Sequence, residues 1–384
     1  MTESPAGPSG PGVGGRIRSA GPLTVADLRA RGIGRAEAAR RCRPDGPWQM
    51  PFPGVHLSHP GPISRSERLR AALVWAGGRP GEVLFGGITA LELHDPEPAG
   101  CHDPGSAPPP PITLMVPHTR RLRPPAGIRL LRTRELPRPV WIDGLPVVPV
   151  ARAVADAVVP EPGPVEGDPS AGRALMAAAL IGGHCTAREL AREVGRLRPN
   201  RRRGPARALE EACAEARAVA QDSLREVVRV VVGPAGRGDA RGDATGGATA
   251  GAMDRPGTDP AEAGPAEPFW NVELRPSGEA PGGADAYWPG EGVALVLDTR
   301  RYSPGTAHLP GAFRDPGHAR RGEAEETAGY VRWRETLERS GVTVVHLTPR
   351  GLRETPDLQA VVIRTALTGA SARPSGRCVG VLPR

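Results

Sequence analysis

The sequence contains no lysine, so arginine supplies all 50 of its basic side chains, against 42 aspartates and glutamates and a net charge of +8. The planar guanidinium group matches phosphate oxygens and guanine edges, so this composition is compatible with a nucleic-acid partner. A GC-rich coding sequence would produce the same excess of arginine, together with many alanines, glycines and prolines. Only local clusters of arginine therefore count as evidence for a partner.

Cysteine is also scarce. Five residues, odd in number and without a CxxC pair, argue against a disulfide framework and against a zinc knuckle. The chain has no run of about 18 apolar residues, which argues against a membrane span. Its first residues lack the apolar segment of a secretion signal. We therefore expect a cytoplasmic protein with no membrane partner.

Large apolar side chains are few, since aromatic residues make up 3% of a chain that holds 51 glycines and 46 prolines. A length of 384 residues predicts two or three compact units joined by linkers. Segments without large apolar side chains cannot offset the entropy of ordering the chain. On this basis we predict a disordered leader at 1–21, a Pro-rich linker at 95–111 and a disordered insertion at 233–266.

The first motif is a pair of short helices at Leu23–Cys42, separated by the turn Gly32-Ile33-Gly34. This spacing is typical of a helix-turn-helix, whose second helix enters the major groove of DNA. The second helix carries the candidate DNA-binding residues Arg35, Arg40 and Arg41, and Trp48–Leu57 fits a β-hairpin wing. The alternative interpretation is an ordinary solvated helical hairpin, in which arginine is simply the available cation.

The residues after the helix pair, WQMPFPGVHLSHPGPISRSERLRAAL, resemble the N-terminal winged-helix domain of AbiEi-type antitoxins and related transcriptional regulators. Phe85–Leu93 and Val147–Asp156 are similar to two further segments of that family. The resemblance covers about half of the chain and includes no catalytic residue. It implies a DNA-binding regulator with DNA as partner, a cognate toxin as a possible second partner, and a possible homodimer.

The C-terminal half alternates strand and helix patterns, which are typical of an α/β sandwich. Strands are predicted at Phe269–Leu274, Ala284–Trp288, Val293–Leu297 and Val342–Leu347, and helices at Glu323–Ser340 and Asp357–Thr368. Ala-rich helices precede them between residues 171 and 232, and the pair Thr186 and Glu189 forms a capping box for the middle one.

Four segments of this half resemble the very-short-patch-repair-like branch of the PD-(D/E)XK nucleases: Asp222–Glu226, Ala284–Pro289, Ala294–Tyr302 and Val342–Arg350. The resemblance implies a catalytic set of Glu226, Asp285 and Asp298, with Asp285 and Asp298 as possible metal ligands for Mg²⁺. In that branch an acidic residue stands where this chain has Val296. Loss of a charged oxygen ligand weakens Mg²⁺ binding severely, so the resemblance indicates a degenerate site.

Each of these carboxylates also has a structural interpretation: Glu226 as a solvated helix residue, Asp285 as a cap at a strand start, and Asp298 as a turn residue. His346 lies within an apolar strand pattern, and we interpret it as structural. The Mg²⁺ site is thus either a relic, with no cofactor, or a weak but active centre.

Together these patterns predict an α/β multidomain protein of three folded parts: an α+β winged helix-turn-helix, a middle α+β segment and a C-terminal α/β restriction-endonuclease-like sandwich. The predicted bounds are 22–94, 112–200, and 201–232 with 267–370, followed by a tail at 371–384. The favoured function is an antitoxin-type DNA-binding regulator with an inactive nuclease-like domain. The alternatives are an active Mg²⁺-dependent endonuclease targeted by the N-terminal domain, and a protein-interaction scaffold without a nucleic-acid role.

Overall fold

The computed structural model describes residues 21–77, 81–94, 111–158, 169–197, 199–233, 265–276, 281–304, 316–371 and 379–383. The predicted leader, linker and insertion, apart from a few flanking residues, lie outside the described residues. The fold is mixed α and β, and the chain divides into two compact units, Met1–Pro149 (unit 1) and Val150–Arg384 (unit 2).

Unit 1 begins with a small antiparallel sheet whose strand order is β1-β3-β2. Its elements are β1 (Leu23–Thr24), α1 (Val25–Ala30), α2 (Arg35–Arg41), β2 (Gln49–Phe52), β3 (Val55–Leu57) and α3 (Arg65–Ala76). Thr24 and Ser64 start α1 and α3 through reciprocal hydrogen bonds with Asp27 and Glu67, the capping-box arrangement. The predicted hairpin after Trp48 is confirmed by the pairing of β2 with β3.

The rest of unit 1 forms a five-stranded mixed sheet with the order β6-β5-β4-β8-β7. Its elements are β4 (Leu84–Phe85), α4 (Gly87–His94), β5 (Ile112–Pro117), β6 (Ile128–Thr133), β7 (Val140–Ile142) and β8 (Leu145–Val147). Strand β4 pairs with both β5 and β8. The boundary predicted at residue 94 therefore falls within a sheet, because β4 lies before it and its partners β5 and β8 lie after it.

Unit 2 starts with four helices: α5 (Val150–Ala157), α6 (Pro169–Ile181), α7 (Ala187–Gly195) and α8 (Pro199–Val232). The capping box of Thr186 and Glu189 is confirmed at the start of α7. Helix α5 packs on α6 and on α7, and α8 packs on the same two helices. Helices α6 and α7 thus belong to the same unit as α8, although the boundary predicted at residue 200 lies between them and most of α8.

The sheet of unit 2 has five strands in the order β12-β11-β10-β9-β13. Its elements are β9 (Phe269–Pro276), β10 (Gly282–Trp288), β11 (Val293–Leu297), a 3₁₀ turn (Arg300–Tyr302), α9 (Pro316–Arg339), β12 (Thr343–Leu347), α10 (Pro349–Glu354), α11 (Pro356–Ser371) and β13 (Val379–Pro383). Strands β11 and β12 are parallel, and the other neighbours are antiparallel. The segment predicted as a tail, 371–384, contains Val379–Pro383, which completes the sheet by pairing with β9.

No helix among the described residues combines the length and the apolar character that crossing a membrane requires.

Candidate nucleic-acid interface and nuclease-like site

The two N-terminal helices are held together by a small apolar cluster. Leu23, Leu28 and Ala38 are buried there, and Ile33 and Trp48 pack against them. The turn between the helices is closed by the Ile33 amide, which donates to the Leu28 carbonyl at 2.9 Å, and Gly32 adopts a φ of +74° that other residues rarely tolerate. The helix pair is thus a folded unit, and one face of α2 is left to solvent.

The three candidate arginines of α2 differ in their partners. Arg35 is exposed and makes no ion pair within the described residues. Glu37 binds both other arginines: its carboxylate pairs with Arg40 and accepts a hydrogen bond from Arg41 Nε at 2.6 Å. The hydrogen bond from Arg41, together with the charges of both arginines, lowers the pKa of Glu37 against the opposing effect of burial. One carboxylate therefore offsets part of the positive charge of this helix.

Arg41 is the most constrained of the three, because its guanidinium also lies 4.7 Å from the centre of the Trp48 ring. This cation–π contact and the ion pair with Glu37 hold the side chain against the protein. Arg40 keeps 67% of its side-chain surface exposed. The residues of α2 best placed to reach another molecule are therefore Arg35 and Arg40.

The β2–β3 hairpin has a tip without positive charge. Its two connecting residues are Pro53 and Gly54, and Gly54 has a φ of +78°. Gln49 anchors the hairpin by donating to the carbonyls of His59 at 3.0 Å and Gly61 at 2.5 Å. If the hairpin approaches DNA, it does so through backbone and apolar groups.

His56 of β3 is buried, and its Nδ1 lies 3.4 Å from the Cys42 Sγ. Burial lowers the pKa of His56 and raises the pKa of the Cys42 thiol. Both shifts favour the neutral forms, so the pair is suited to packing rather than to nucleophilic chemistry. In unit 2, burial raises the pKa of Cys185 to about 12 and that of Cys213 to about 11, which makes these thiols unreactive as well.

The candidate catalytic residues of unit 2 already have protein partners. Glu226, on α8, is 64% exposed and forms an ion pair with Arg229. Asp285, on β10, accepts a hydrogen bond from the Leu297 amide at 2.7 Å. Asp298 follows β11 and accepts from Arg300 Nε at 2.9 Å and from the Arg300 amide at 3.3 Å.

The pKa of Asp298 lies below its usual value. Burial acts to raise this pKa, but the hydrogen bonds and charge of Arg300 outweigh burial. The carboxylate is therefore ionised, with an arginine as its counter-ion.

These donors do not fit Mg²⁺. The part of the chain that the structure describes contains no group of three histidine, cysteine, aspartate or glutamate side chains that could hold a metal ion. Val296, two residues before Asp298 on β11, packs against the apolar core of the unit. Mg²⁺ is bound by several oxygen ligands in near-octahedral geometry, and an aspartate neutralised by Arg300 is a poor donor for it.

Beside Asp298 lies a polar cluster that the sequence did not predict. Because β11 and β12 are parallel, with Val296 opposite His346, His346 lies at the same end of the sheet as Asp298. The Tyr330 hydroxyl is 2.8 Å from His346 Nε2, and Arg300 lies 5.7 Å from the Tyr330 ring centre. The parallel register of β11 and β12 brings this cluster together, and the amino-acid pattern of β12 alone does not predict that register.

His346 is expected to make the protein sensitive to mild acid. Burial, followed by the charges of Arg334 and Arg300, lowers its pKa, so the folded state favours the neutral ring. In the unfolded chain the ring protonates near pH 6.5, so this source of stability is complete above that pH and is lost as the pH falls below it. Between pH 7 and pH 5 we expect the wild type to lose more stability than His346→Gln. The difference should be under about 1 kcal/mol, because solvent screens a side chain that is only partly sheltered. Urea unfolding at the two pH values measures the difference, and identical losses would contradict it.

Net charge is distributed unequally between the two units. Residues 1–149 contain 19 arginines against 12 aspartates and glutamates, whereas residues 150–384 contain 31 against 30. Unit 1 therefore carries most of the net positive charge of the protein, +7 of +8. An anionic partner attracted by net charge would be drawn to unit 1.

Comparisons with known proteins assign no family to this chain. No family model and no curated protein matches the sequence. Among solved structures, the chain is similar to the crystal structure of the RV2827C protein from Mycobacterium tuberculosis, with 20% sequence identity and a TM-score of 0.33. The similarity covers 52% of this chain and 72% of that protein. A superposition at this level supports neither a shared fold nor a shared function.

Proposed function

We propose that this protein is a DNA-binding regulator of the antitoxin type, in which unit 1 contacts the duplex. The observation that carries the proposal is a short helix pair with exposed arginines on its second helix, followed directly by a hairpin. The strand order β1-β3-β2 behind those helices resembles the small sheet of winged-helix domains. The excess of positive charge in unit 1 supports the same assignment, since phosphate contacts dominate the affinity of DNA-binding proteins.

The proposal assigns separate roles to the arginines of α2. Arg35 and Arg40 reach the duplex, while Arg41 fixes the helix against Trp48. Side chains at the start of a recognition helix contact base edges or phosphates. A homodimer reading two half-sites, a cytoplasmic location and a cognate toxin complete the proposal on the strength of the family resemblance.

Binding of the full chain to a fluorescent duplex at several salt concentrations tests this function. We expect affinity to fall steeply with salt, and Arg35→Gln with Arg40→Gln to weaken binding about ten-fold or more, because each lost phosphate contact removes about 0.9 from the salt slope. The matched control replaces Arg207 and Arg350 with glutamine, two exposed arginines of unit 2 that pair with Glu211 and Glu354. Absence of wild-type binding at low salt would reject the proposal.

In the proposed regulator, unit 2 is an inactive nuclease-like module that serves binding or partner docking. We expect the protein to leave supercoiled plasmid intact in Mg²⁺, because Val296 replaces a metal ligand and Arg300 neutralises Asp298. An agarose-gel assay with the wild type and Asp285→Ala measures this. Nicking that the wild type shows and Asp285→Ala lacks would instead establish the endonuclease alternative.

A further inference from the structure

A second arginine-rich region lies in the five-stranded sheet of unit 1. Between residues 111 and 149 the chain has seven arginines and only two carboxylates, Glu135 and Asp143. Most of these arginines lie in the connection between β5 and β6 or at the C-terminal end of β6. We name the following residues the arginine edge: His118, Arg120, Arg121, Arg123, Arg132 and Arg134.

The register of β5 and β6 brings these residues to one end of the sheet. The strands are parallel, and Pro117 pairs with Thr133, so the residues that follow each strand, His118 and Arg134, leave the sheet at the same edge. The His118 amide donates to the Thr133 carbonyl at 2.7 Å, which fixes the two chain segments together. Arginines that are nine to fourteen residues apart in sequence, Arg120, Arg121 and Arg123 on one side and Arg132 and Arg134 on the other, are thereby concentrated in space.

Two arginines hold the connecting segment in place without losing their charge. Arg132 donates to the carbonyl oxygens of Arg120 and Leu122, the latter at 2.7 Å. Arg120 donates to the Gly77 carbonyl at 2.5 Å, at the end of α3. A carbonyl oxygen accepts a hydrogen bond but carries no net charge, so both guanidinium groups remain positive and their remaining N–H donors remain available.

The other arginines of the edge have no carboxylate partner within the described residues. Arg121, Arg123 and Arg134 are exposed, and none of them forms an ion pair there. This differs from α2, where Glu37 pairs with two of the three candidate arginines. The arginine edge is therefore the less neutralised of the two basic surfaces of unit 1.

We infer that the arginine edge binds the phosphate backbone of duplex DNA, independently of sequence, in addition to the DNA contacts proposed for α2. The inference rests on the proposed function. A fixed set of guanidinium groups suits phosphate, because each offers a planar fork of donors and stays charged. Among the described residues of unit 1, the large exposed apolar side chains are Met50, Ile88, Val140 and Trp141. None belongs to the edge, which therefore lacks the apolar anchors of a protein interface or of membrane insertion.

A triple variant with Arg121, Arg123 and Arg134 replaced by glutamine tests the inference in the full chain. We expect the slope of log affinity against log salt to fall by about 2–3, with an affinity loss of at least about ten-fold near 0.1 M salt. The control carries the same charge change in unit 2, at Arg207, Arg229 and Arg350, which are exposed and pair with Glu211, Glu226 and Glu354. It should change affinity less than about two-fold, apart from long-range electrostatics that salt screens. Circular dichroism and melting temperature confirm that both variants are folded.

The other outcomes overturn the inference in distinguishable ways. If the triple variant keeps the wild-type slope while the Arg35 and Arg40 variant loses binding, the regulator proposal stands and the arginine edge has no role in it. If the wild type binds no duplex at low salt, the proposed function itself fails. If the triple variant loses binding to vesicles of anionic lipid, or to polyglutamate, but keeps its affinity for DNA, the edge serves a membrane or an acidic protein instead.

Discussion

Replacing Trp333 with alanine is expected to destabilise the protein by about 3–5 kcal/mol, the usual cost of truncating a buried tryptophan. Trp333 lies on α9 and is 4% exposed. Its indole Nε1 donates to the Leu274 carbonyl of β9 at 3.2 Å, and its ring belongs to the apolar core between that helix and the sheet. Truncation leaves a cavity and an unsatisfied carbonyl at the contact that holds α9 on the sheet. Urea unfolding followed by circular dichroism measures the loss.

Gly282 of β10 shows how closely the Trp333 ring approaches the sheet. A Cβ atom at this glycine would lie 2.3 Å from Trp333 Cε2, nearer than two such atoms can come. Gly282→Val should therefore also be strongly destabilising, since the ring is confined by the core around it. Phe269→Ala is the matched control on neighbouring β9, because that ring is 58% exposed and its loss should cost under about 1 kcal/mol. A Trp333→Ala variant no less stable than Phe269→Ala would contradict this account of the core.

Local signals explain the parts of the fold that the sequence predicted well. Thr186 and Glu189 mark a helix start within four residues, and Pro289–Gly292 mark a hairpin between two apolar strands. The strands β9 to β12 and helix α11 lie close to their predicted spans, whereas α9 begins seven residues before its predicted start at Glu323. Each of these signals acts over a single element, so the amino-acid pattern is sufficient to recognise it.

Long-range pairing explains the parts that were missed. Strand β13 has no partner near it in sequence, and it is held by β9, about a hundred residues earlier. Strand β4 has only two residues and owes its place to β5 and β8. Such strands are stabilised by partners that are distant in sequence. A short apolar pair such as Leu84 and Phe85 does not by itself predict a strand.

The same distinction between local signals and long-range pairing applies to the candidate sites. That Glu37 would pair with Arg40 and Arg41 was readable from the sequence, because residues three and four apart are neighbours on a helix. The hydrogen bonds and ion pair between Asp298 and Arg300 likewise span only two residues. By contrast, the cluster of Tyr330 with His346 and the arginine edge depend on which strands run parallel. The sequence identifies the charged residues of these two sites, but it does not show that they lie close together in the fold.

Replacing Arg152 with methionine is the second change for which we expect a large effect, about 3–5 kcal/mol, because it removes the counter-ion of a nearly buried ion-pair network. Arg152 Nε donates to Asp156 at 2.8 Å, and its Nη1 donates to Glu193 at 3.4 Å, joining α5 to α7. The three side chains are 16%, 10% and 14% exposed. Chemical unfolding at pH 7 measures the loss.

The control is Arg196→Met, which removes a second partner of the same Glu193. Arg196 is 54% exposed and pairs with that carboxylate at 2.7 Å, so its loss should cost at most about 1 kcal/mol. Equal losses for the two variants would show that the network contributes no more than a surface ion pair.

The pH dependence of the Arg152→Met variant follows from the charges that remain. In the wild type, burial acts to lower the pKa of Arg152, but the charges of Asp156 and Glu193 outweigh burial and raise this pKa. Without that guanidinium the negative charges of Asp156 and Glu193 lose the counter-ion that they share, and Glu193 keeps only the exposed Arg196. Acid removes negative charge from carboxylates and with it the penalty of leaving them sheltered without a cation. The stability gap between variant and wild type should therefore narrow from pH 7 towards pH 4, and a gap that widens instead would mean that packing, rather than charge, accounts for the role of Arg152.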